Sequence, residues 1–330
     1  MRKLASIQKI KNLQPIENAD AIEVASVLGW NVVVKKGEFQ IGDWVVYCEI
    51  DSILPDRPEF EFLRNKKFRI KTLRLRGQIS QGICFPLSVL PKDFEVEENK
   101  DCTDILNITK YEPPIPASLS GIAKGVFPSF IPKTDETRVQ VLQELLDKYK
   151  GTDCYITEKL DGSSATYFIK DGQFGVCSRN LELVEDENNT FWKVARETDL
   201  ENKMRSLGKN ISLQGELIGE GIQKNKLKLK GQKVMYFNAF DIDEYRYYDL
   251  EEFKQLLNNL SLPIVPILSE NYSLSNNIEE IVELASIKSS MAKDVWAEGI
   301  VIRPLKETND LNGRVSFKAI SPNFLLKYDE

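Results

Sequence analysis

Glu158-Lys159-Leu160-Asp161-Gly162-Ser163-Ser164 comes directly after Cys154-Tyr155-Ile156, a short β-like stretch, and Thr157. A lysine leaving a strand, an aspartate two residues on and a glycine for a tight turn put an amine and a carboxylate at one strand end. A string this short recurs by chance in surface turns, so its weight comes from the ordered motifs downstream of it. Ser178-Arg179-Asn180 is next, then Leu213-Gln214-Gly215-Glu216-Leu217-Ile218-Gly219. Tyr236-Phe237-Asn238-Ala239-Phe240-Asp241-Ile242 and Ala297-Glu298-Gly299-Ile300-Val301-Ile302-Arg303 continue the series, and Ser316-Phe317-Lys318-Ala319-Ile320 closes it.

The 330 residues contain no histidine, which excludes Ser-His-Asp and Cys-His nucleophile systems, imidazole acid-base work and His-ligated zinc or haem. Cys48, Cys84, Cys102, Cys154 and Cys177 are odd in number and far apart, with no CxxC pair. They fit neither a zinc site nor a disulfide framework and predict reduced, buried thiols in an intracellular, cytoplasmic protein, a reactive thiol being the minor reading. At 42% hydrophobic and 28% charged the chain reads as folded and soluble, which excludes disordered and fibrous classes. No apolar run has the length of a membrane helix, and Met1-Arg2-Lys3-Leu4 runs straight into polar residues, so neither membrane nor signal peptide is expected. The net charge of −6 disfavours generic nucleic-acid binding but leaves local basic patches to decide.

The length suggests about two domains. Residues 1–110 read as strands: Ile22–Leu28, Asn31–Val34 and Trp44–Ile50 are short and β-rich, and Phe68–Leu75 alternates apolar with basic residues. Short strands with turn signals and hardly any helix predict an all-β, OB-like barrel. Residues 111–135 form a connecting segment in which Pro113, Pro114, Pro116, Pro128 and Pro132 crowd together with Gly121 and Gly125. Residues 136–330 read as an α+β domain, with helices expected at 136–149 (Val139, Leu142, Leu145 and Leu146 on one face), 251–260 and 278–290 and late strands at Gly299–Ile302 and Val315–Lys318.

Two runs are locally basic. Arg64, Lys66, Lys67, Arg69, Lys71, Arg74 and Arg76 lie together with no acid among them. On a strand Arg69 and Lys71 share a face, as do Arg74 and Arg76. The run reads either as a solvated edge strand or as a phosphate-binding face of the barrel. Lys224, Lys226, Lys228, Lys230 and Lys233 form the second run, and the Lys-Leu alternation from Lys226 to Lys230 predicts a strand with a solvated lysine face.

In its ordered motifs the chain resembles the covalent nucleotidyltransferase superfamily of polynucleotide ligases and mRNA capping enzymes. Within it the chain resembles the ATP-dependent RNA ligases of the Deinococcus and Naegleria type, which carry an OB domain N-terminal to the catalytic domain. DNA ligases and capping guanylyltransferases, the alternatives that share the lysine chemistry, carry theirs C-terminal, and this sequence leaves only 12 residues after Lys318. A non-enzymatic OB module explains residues 1–100 but not the ordered motifs. Leu75-Arg76-Gly77-Gln78-Ile79-Ser80-Gln81-Gly82 and Phe130-Ile131-Pro132-Lys133-Thr134-Asp135-Glu136 also look like this family, so the likeness spans essentially the whole chain.

The resemblance implies a nucleotidyltransferase catalytic domain of antiparallel, ATP-grasp-like sheets and an enzyme that joins 3′-OH to 5′-phosphate RNA ends. It implies that Lys159 attacks the α-phosphorus of ATP to give lysyl-AMP, with Lys318 neutralising the α-phosphate. Glu158, Glu216 and Arg179 are implied at the nucleotide, Glu216 on the ribose, and Phe240 on adenine with Phe237 as the second aromatic of that motif. Glu298 and Asp161 are implied to hold Mg²⁺ or Mn²⁺ through its hydration shell, with a second ion on the β- and γ-phosphates. The implied substrate is a nicked duplex with RNA at its 3′-OH, held by Arg69, Lys71, Arg74, Arg76, Lys133 and Asn180; the enzyme is expected as a monomer. One departure stands: the family's last motif often has a second lysine where this chain has Ile320, and Lys327 in Phe324-Leu325-Leu326-Lys327 is the candidate replacement.

Overall fold

The computed structural model describes residues 3–111, 123–310 and 313–328. Contacts divide the chain into two units: Met1–Pro114 with Gln140–Gln143 and Pro322–Glu330, and Ile115–Val139 with Glu144–Ser321. The tail from Pro322 thus groups with the first unit, although its place in the sequence puts it in the catalytic domain. Pro113, Pro114, Pro116 and Gly121 of the expected connecting segment lie outside the described residues.

Alternation builds the first unit. Trp30–Lys35 buries Trp30, Val32 and Val34 and exposes Asn31 and Lys35, so one face meets a core and the other meets water. This strand pairs antiparallel with Ile22–Val27, which pairs with Asn12–Pro15. A second antiparallel sheet runs Ala5–Lys9, Trp44–Cys48, Ile83–Pro86. Both sheets bury side chains in one core that includes Ile7, Trp30, Val45, Tyr47 and Phe60. Leu325 of the tail helix Pro322–Tyr328 packs on the same core.

The first basic run is not the single strand its alternation predicts. Pro58–Lys66 is a 3-10 helix, Lys67 and Phe68 have φ of 53° and 57°, and only Leu73–Leu75 is extended. Leu75 pairs with Gln78 across a two-residue turn in which Arg76 and Gly77 have φ of 49° and 83°, the left-handed geometry that a tight hairpin requires. Arg74 and Arg76 are exposed on this hairpin. Arg69 is not: it is buried, pairs with Asp51 at 3.0 Å and lies 3.7 Å over the Tyr111 ring, which makes it a structural cation rather than a surface contact.

The second unit holds two sheets. The larger has seven antiparallel strands in the order Ala123–Val126, Leu181–Leu183, Gln173–Cys177, Ser163–Lys170, Ile211–Gly219, Gln232–Asp241, Arg246–Tyr247. The smaller has five, Thr137–Arg138, Phe317–Ile320, Gly299–Pro304, Asp153–Lys159, Ile267–Ser273, with only the first pair parallel. Helices Thr190–Glu197, Leu200–Arg205 and Leu250–Asn259 bury Trp192, Leu200, Met204, Phe253 and Leu257 in a core shared with Tyr167 and Leu213 of the larger sheet.

Two expected helices are shorter than their periodicity. Of 136–149 only Gln143–Tyr149 is α-helical, because Thr137–Arg138 is extended and pairs with Phe317–Lys318. Of 278–290 only Ile278–Leu284 is helical, because Lys288–Ser289 turns back as a hairpin with Ala292–Trp296. Sheet pairing, which is non-local, overrides the local pattern in both.

Candidate active site

The nucleophile motif is the crossing between the two sheets. Asp153–Lys159 ends in the smaller sheet and Ser163–Lys170 begins in the larger, so Leu160-Asp161-Gly162 carries the chain from one to the other. A Cβ on Gly162 would overlap the carbonyl oxygen of Leu217, so only glycine lets the turn approach this strand. That approach brings Lys159 and Asp161 beside Glu216, which stands opposite Ser164 in the larger sheet.

Around Lys159 the motifs converge. Its Nζ donates to Glu298 Oε2 at 2.6 Å across 139 residues of sequence. Burial alone would push the ammonium down, but Glu298, then Glu216 and Asp161, outweigh it and hold the pKa above its ordinary value. Glu216 is pushed up to about 8, first by burial and then by Glu298 and Asp161, against the pull of Lys159. Asp161 is raised by burial and by Glu298, while Lys226, donating to its Oδ2 at 2.6 Å, opposes the shift.

Lys318 is pushed down to about 7 by burial, by Lys159 and by Arg138. Arg138 stands in register with it on the neighbouring parallel strand. Two basic side chains in register on neighbouring strands, each opposing the other's charge, are suited to receive an anion. Sequence reading missed Arg138, since it lies outside the ordered motifs and reaches Lys318 only through sheet pairing. Lys327 instead sits on the tail helix with the first unit, its Nζ over the Tyr328 ring. Ile320, where the family's second lysine is often found, is buried.

Segment 127–136 runs over the larger sheet. Thr134 Oγ1 bonds Ser164 Oγ at 2.7 Å, Gln214 Nε2 donates to the Pro132 carbonyl at 2.8 Å, and Arg179 donates to Asp135. Lys133 donates to Asn180 Oδ1 at 3.1 Å, so two exposed residues expected at the nucleic acid stand together. Glu136 then accepts from Arg303 at 2.9 Å and from Ser316 at 2.7 Å. Burial would raise its pKa, but Arg303 and Arg314 hold it below the usual carboxylate range.

Two expected nucleotide contacts are placed elsewhere. Phe240 is 1% exposed and packs with Phe127, Ile131, Phe168, Cys177 and Ile242, which leaves no ring face for a base. Phe237, three positions back at a bulge of the same strand opposite Gln214 and Gly215, is half-buried and packs with Leu160, Ile218 and Met235, beside the nucleophile turn. The carboxylate of Glu158 is buried and taken up by Ser289 Oγ, Ser290 Oγ and the Ser290 N–H, the last at 2.9 Å, so it anchors the 288–296 hairpin. All five cysteines are free and buried, and burial raises every thiol pKa, which disposes of a reactive thiol.

A strand-end lysine among carboxylates, with Lys318 and Arg138 two and three strands away in the same sheet, is an arrangement suited to covalent nucleotidyl transfer. An OB-fold domain model matches residues 4–87 and the RNA ligase family model matches residues 152–320. No match was found among curated proteins. The solved structures that resemble the chain include Naegleria gruberi RNA ligase with pyrophosphate, 42% identical over 98% of both chains with a TM-score of 0.90. A variant of that ligase with AMP and Mn is 41% identical over 98% of both chains (TM-score 0.90), and another with ATP and Mn is 40% identical over 100% of both (TM-score 0.91). The chain belongs to the ATP-dependent RNA ligases of the Naegleria and Deinococcus type, built from an OB domain and a nucleotidyltransferase domain, and is an AMP-forming ligase.

Proposed function

We propose that this ligase seals nicks in duplexes whose 3′-OH strand is RNA, and that Lys159 carries the AMP. The observation that carries the reading is the 2.6 Å pair of Lys159 with Glu298 at the crossing of the two sheets, with Asp161, Glu216 and Lys318 acting on the same amine. The ammonium first loses its proton. The amine then attacks the α-phosphorus of ATP: an N–P bond forms, the P–O bond to pyrophosphate breaks, and pyrophosphate leaves. AMP next passes to the 5′-phosphate, which restores the lysine amine. The 3′-OH then attacks that phosphate, giving up its proton and expelling AMP.

Lys318 and Arg138 meet the negative charge of the phosphates as it shifts toward the leaving group. Phe237 stacks on adenine, Glu216 binds the ribose, and Arg179 with Asn180 and Lys133 meets the ribose, phosphate or RNA 3′ end. Arg74 and Arg76 grip the nick backbone from the OB domain.

The donor set fits a divalent ion. Among the described residues no group of three or more Asp, Glu, His or Cys could cage a metal. Glu298 and Asp161 supply oxygen ligands of the kind that hold Mg²⁺ or Mn²⁺ together with retained waters and substrate phosphates. Such an ion would supply positive charge to the α-phosphate and would compete with Lys159 for Glu298. No helix among the described residues is long and apolar enough to cross a membrane. Five free buried thiols support a reducing, intracellular setting, and we infer a monomer.

Incubation with α-labelled nucleotides tests the chemistry. ATP and not GTP should label the protein stably to boiling in detergent, and Lys159→Ala should abolish the label. Labelling of that variant at normal yield would remove Lys159 from the nucleophile's role.

A further inference from the structure

The second basic run is not a strand. Between Ile211–Gly219 and Gln232–Asp241 the chain folds into a compact loop with left-handed residues at Gln223, Lys224, Asn225 and Lys228. Asn225 clamps it, accepting from the Leu229 N–H at 3.0 Å and donating to the Leu229 carbonyl at 2.8 Å. Gln232 Nε2 closes its base by donating to the Glu220 carbonyl at 2.7 Å. Leu227 and Leu229 pack against Leu160, Ile218, Met235 and Val265, the cluster that underlies the nucleophile turn. The Lys-Leu alternation is therefore real, but it anchors a loop.

The loop's position gives the lysines meaning. Lys226 is bonded to Asp161, two residues from the nucleophile, so the loop borders the active site. Lys224, Lys228 and Lys230 are exposed. The one acid of this loop, Glu220, accepts from the Gly231 N–H at 3.1 Å. A chain of net charge −6 thus concentrates five lysines, Lys233 included, against one glutamate beside its reacting centre. The ligase reading puts the phosphates of the nucleotide at Lys159, Lys318 and Arg138 on the strands. A row of cations that starts at the site and continues on a clamped, solvent-facing loop is suited to a polyanion that extends outward from it.

We propose that Lys224, Lys228 and Lys230 form a nucleic-acid-binding surface that holds backbone phosphates of the RNA-containing duplex next to the end receiving AMP. The proposal rests on the ligase reading and adds to it a contact surface in the catalytic domain, distinct from the barrel hairpin. It predicts that these lysines act on binding of the polymer and not on lysyl-AMP formation.

The test compares wild type with full-length K224Q/K228Q/K230Q and K224R/K228R/K230R, leaving Lys226 in place. The probe is a nicked duplex with an RNA 3′-OH strand, and binding is read by fluorescence anisotropy over a salt series. The Gln variant should bind about tenfold or more weakly at low salt, and its slope of log Kd against log salt should fall by about 2–3, since each phosphate contact releases roughly 0.7–0.9 counterion. The Arg variant should restore both, and all three proteins should take up label from ATP at similar rates. Unchanged affinity and slope in the Gln variant would overturn the proposal. So would equal losses in the Gln and Arg variants, because charge would then not be the cause. Failure of wild type to seal the nick would count against the ligase reading alone, and the binding comparison would still decide the loop.

Discussion

Phe237 and Phe240 lie three residues apart on one strand, Phe237 at a bulge and Phe240 beyond it, yet pack into different clusters. The Phe240 ring is enclosed by its cluster, with Tyr245 and Tyr247 edge-on at 5.1 and 5.0 Å. Phe240→Ala should lower stability by about 3–5 kcal/mol through the cavity it leaves, measured by denaturant unfolding. Phe237→Ala should instead raise the KM for ATP, by roughly tenfold for a lost stacking contact of about 1–3 kcal/mol, with a smaller loss of stability. The reverse pattern would return the adenine to Phe240. Glu216 carries a pH signature. Its folded pKa is about 8, above the ordinary value of 4.5, so the folded protein binds more protons than the unfolded chain between those limits. Stability from this group is present below pH 4.5 and is lost as pH rises toward 8. Glu216→Gln should therefore raise Tm at pH 8, by about 2–4 °C per kcal/mol recovered, and the gain should vanish toward pH 4.5. An equal gain at both ends would show that carboxylate ionisation is not its source.

Among the elements, the three-residue crossing from the smaller to the larger sheet sets the distance between Lys159 and its carboxylates. Gly162→Ala would drive a methyl into the Leu217 carbonyl and the Glu216 side chain, so the strand bearing Glu216 must move away from the turn. Adenylylation should fall at least tenfold, since misplacement of about 1 Å can cost ~100-fold, and thermal stability should fall with it. Wild-type rates in a folded Gly162→Ala protein would show that the close approach is not needed for chemistry. Gly299 is a parallel case: its strand runs against Ile320, and a Cβ there would overlap the Ala319 carbonyl beside Lys318. The glutamate, lysine and nucleophile motifs thus meet through adjacent strands of one sheet, not through adjacency in sequence.

At the scale of the whole molecule, the residues proposed for the nucleotide chemistry belong to the second unit, while the exposed hairpin arginines belong to the first. Arg74→Glu with Arg76→Glu in the full-length protein should leave lysyl-AMP formation within about twofold of wild type. Sealing of preformed nicks by the pre-adenylylated enzyme should weaken, increasingly so as salt rises. Equal sealing across the salt series would return the hairpin to a solvated edge. Arg69 and Lys71 keep their identity in this variant, because Arg69 pairs with Asp51 inside the fold and its loss would act through stability.

Residue order alone carries the chemistry and the family. Lysine, glutamate and aspartate stand at characteristic points in the series, and the absence of histidine narrows catalysis to the groups that are present. The first-unit strands Ile22–Val27, Trp30–Lys35 and Trp44–Cys48 are equally legible, because period-two alternation such as that of Trp30–Lys35 is a local consequence of one buried face, whereas Ala5–Lys9 and Ile83–Pro86 are not read from it. The remaining features emerge only in the folded chain. Phe237 rather than Phe240 lies beside the nucleophile turn because the strand bulges opposite Gln214 and Gly215, which sets Phe237 among Leu160, Ile218 and Met235 while Phe240, further along the same face, is enclosed by another cluster. Arg138 stands beside Lys318 because a short parallel strand pairs across 180 residues of sequence. Glu158 and Arg69 are committed to partners inside the fold, and the Lys226 run is a loop tied to Asp161. The physical reason is common to all of them: each depends on a non-local pairing or a buried partner, and a local pattern of residue types carries no record of what lies opposite it.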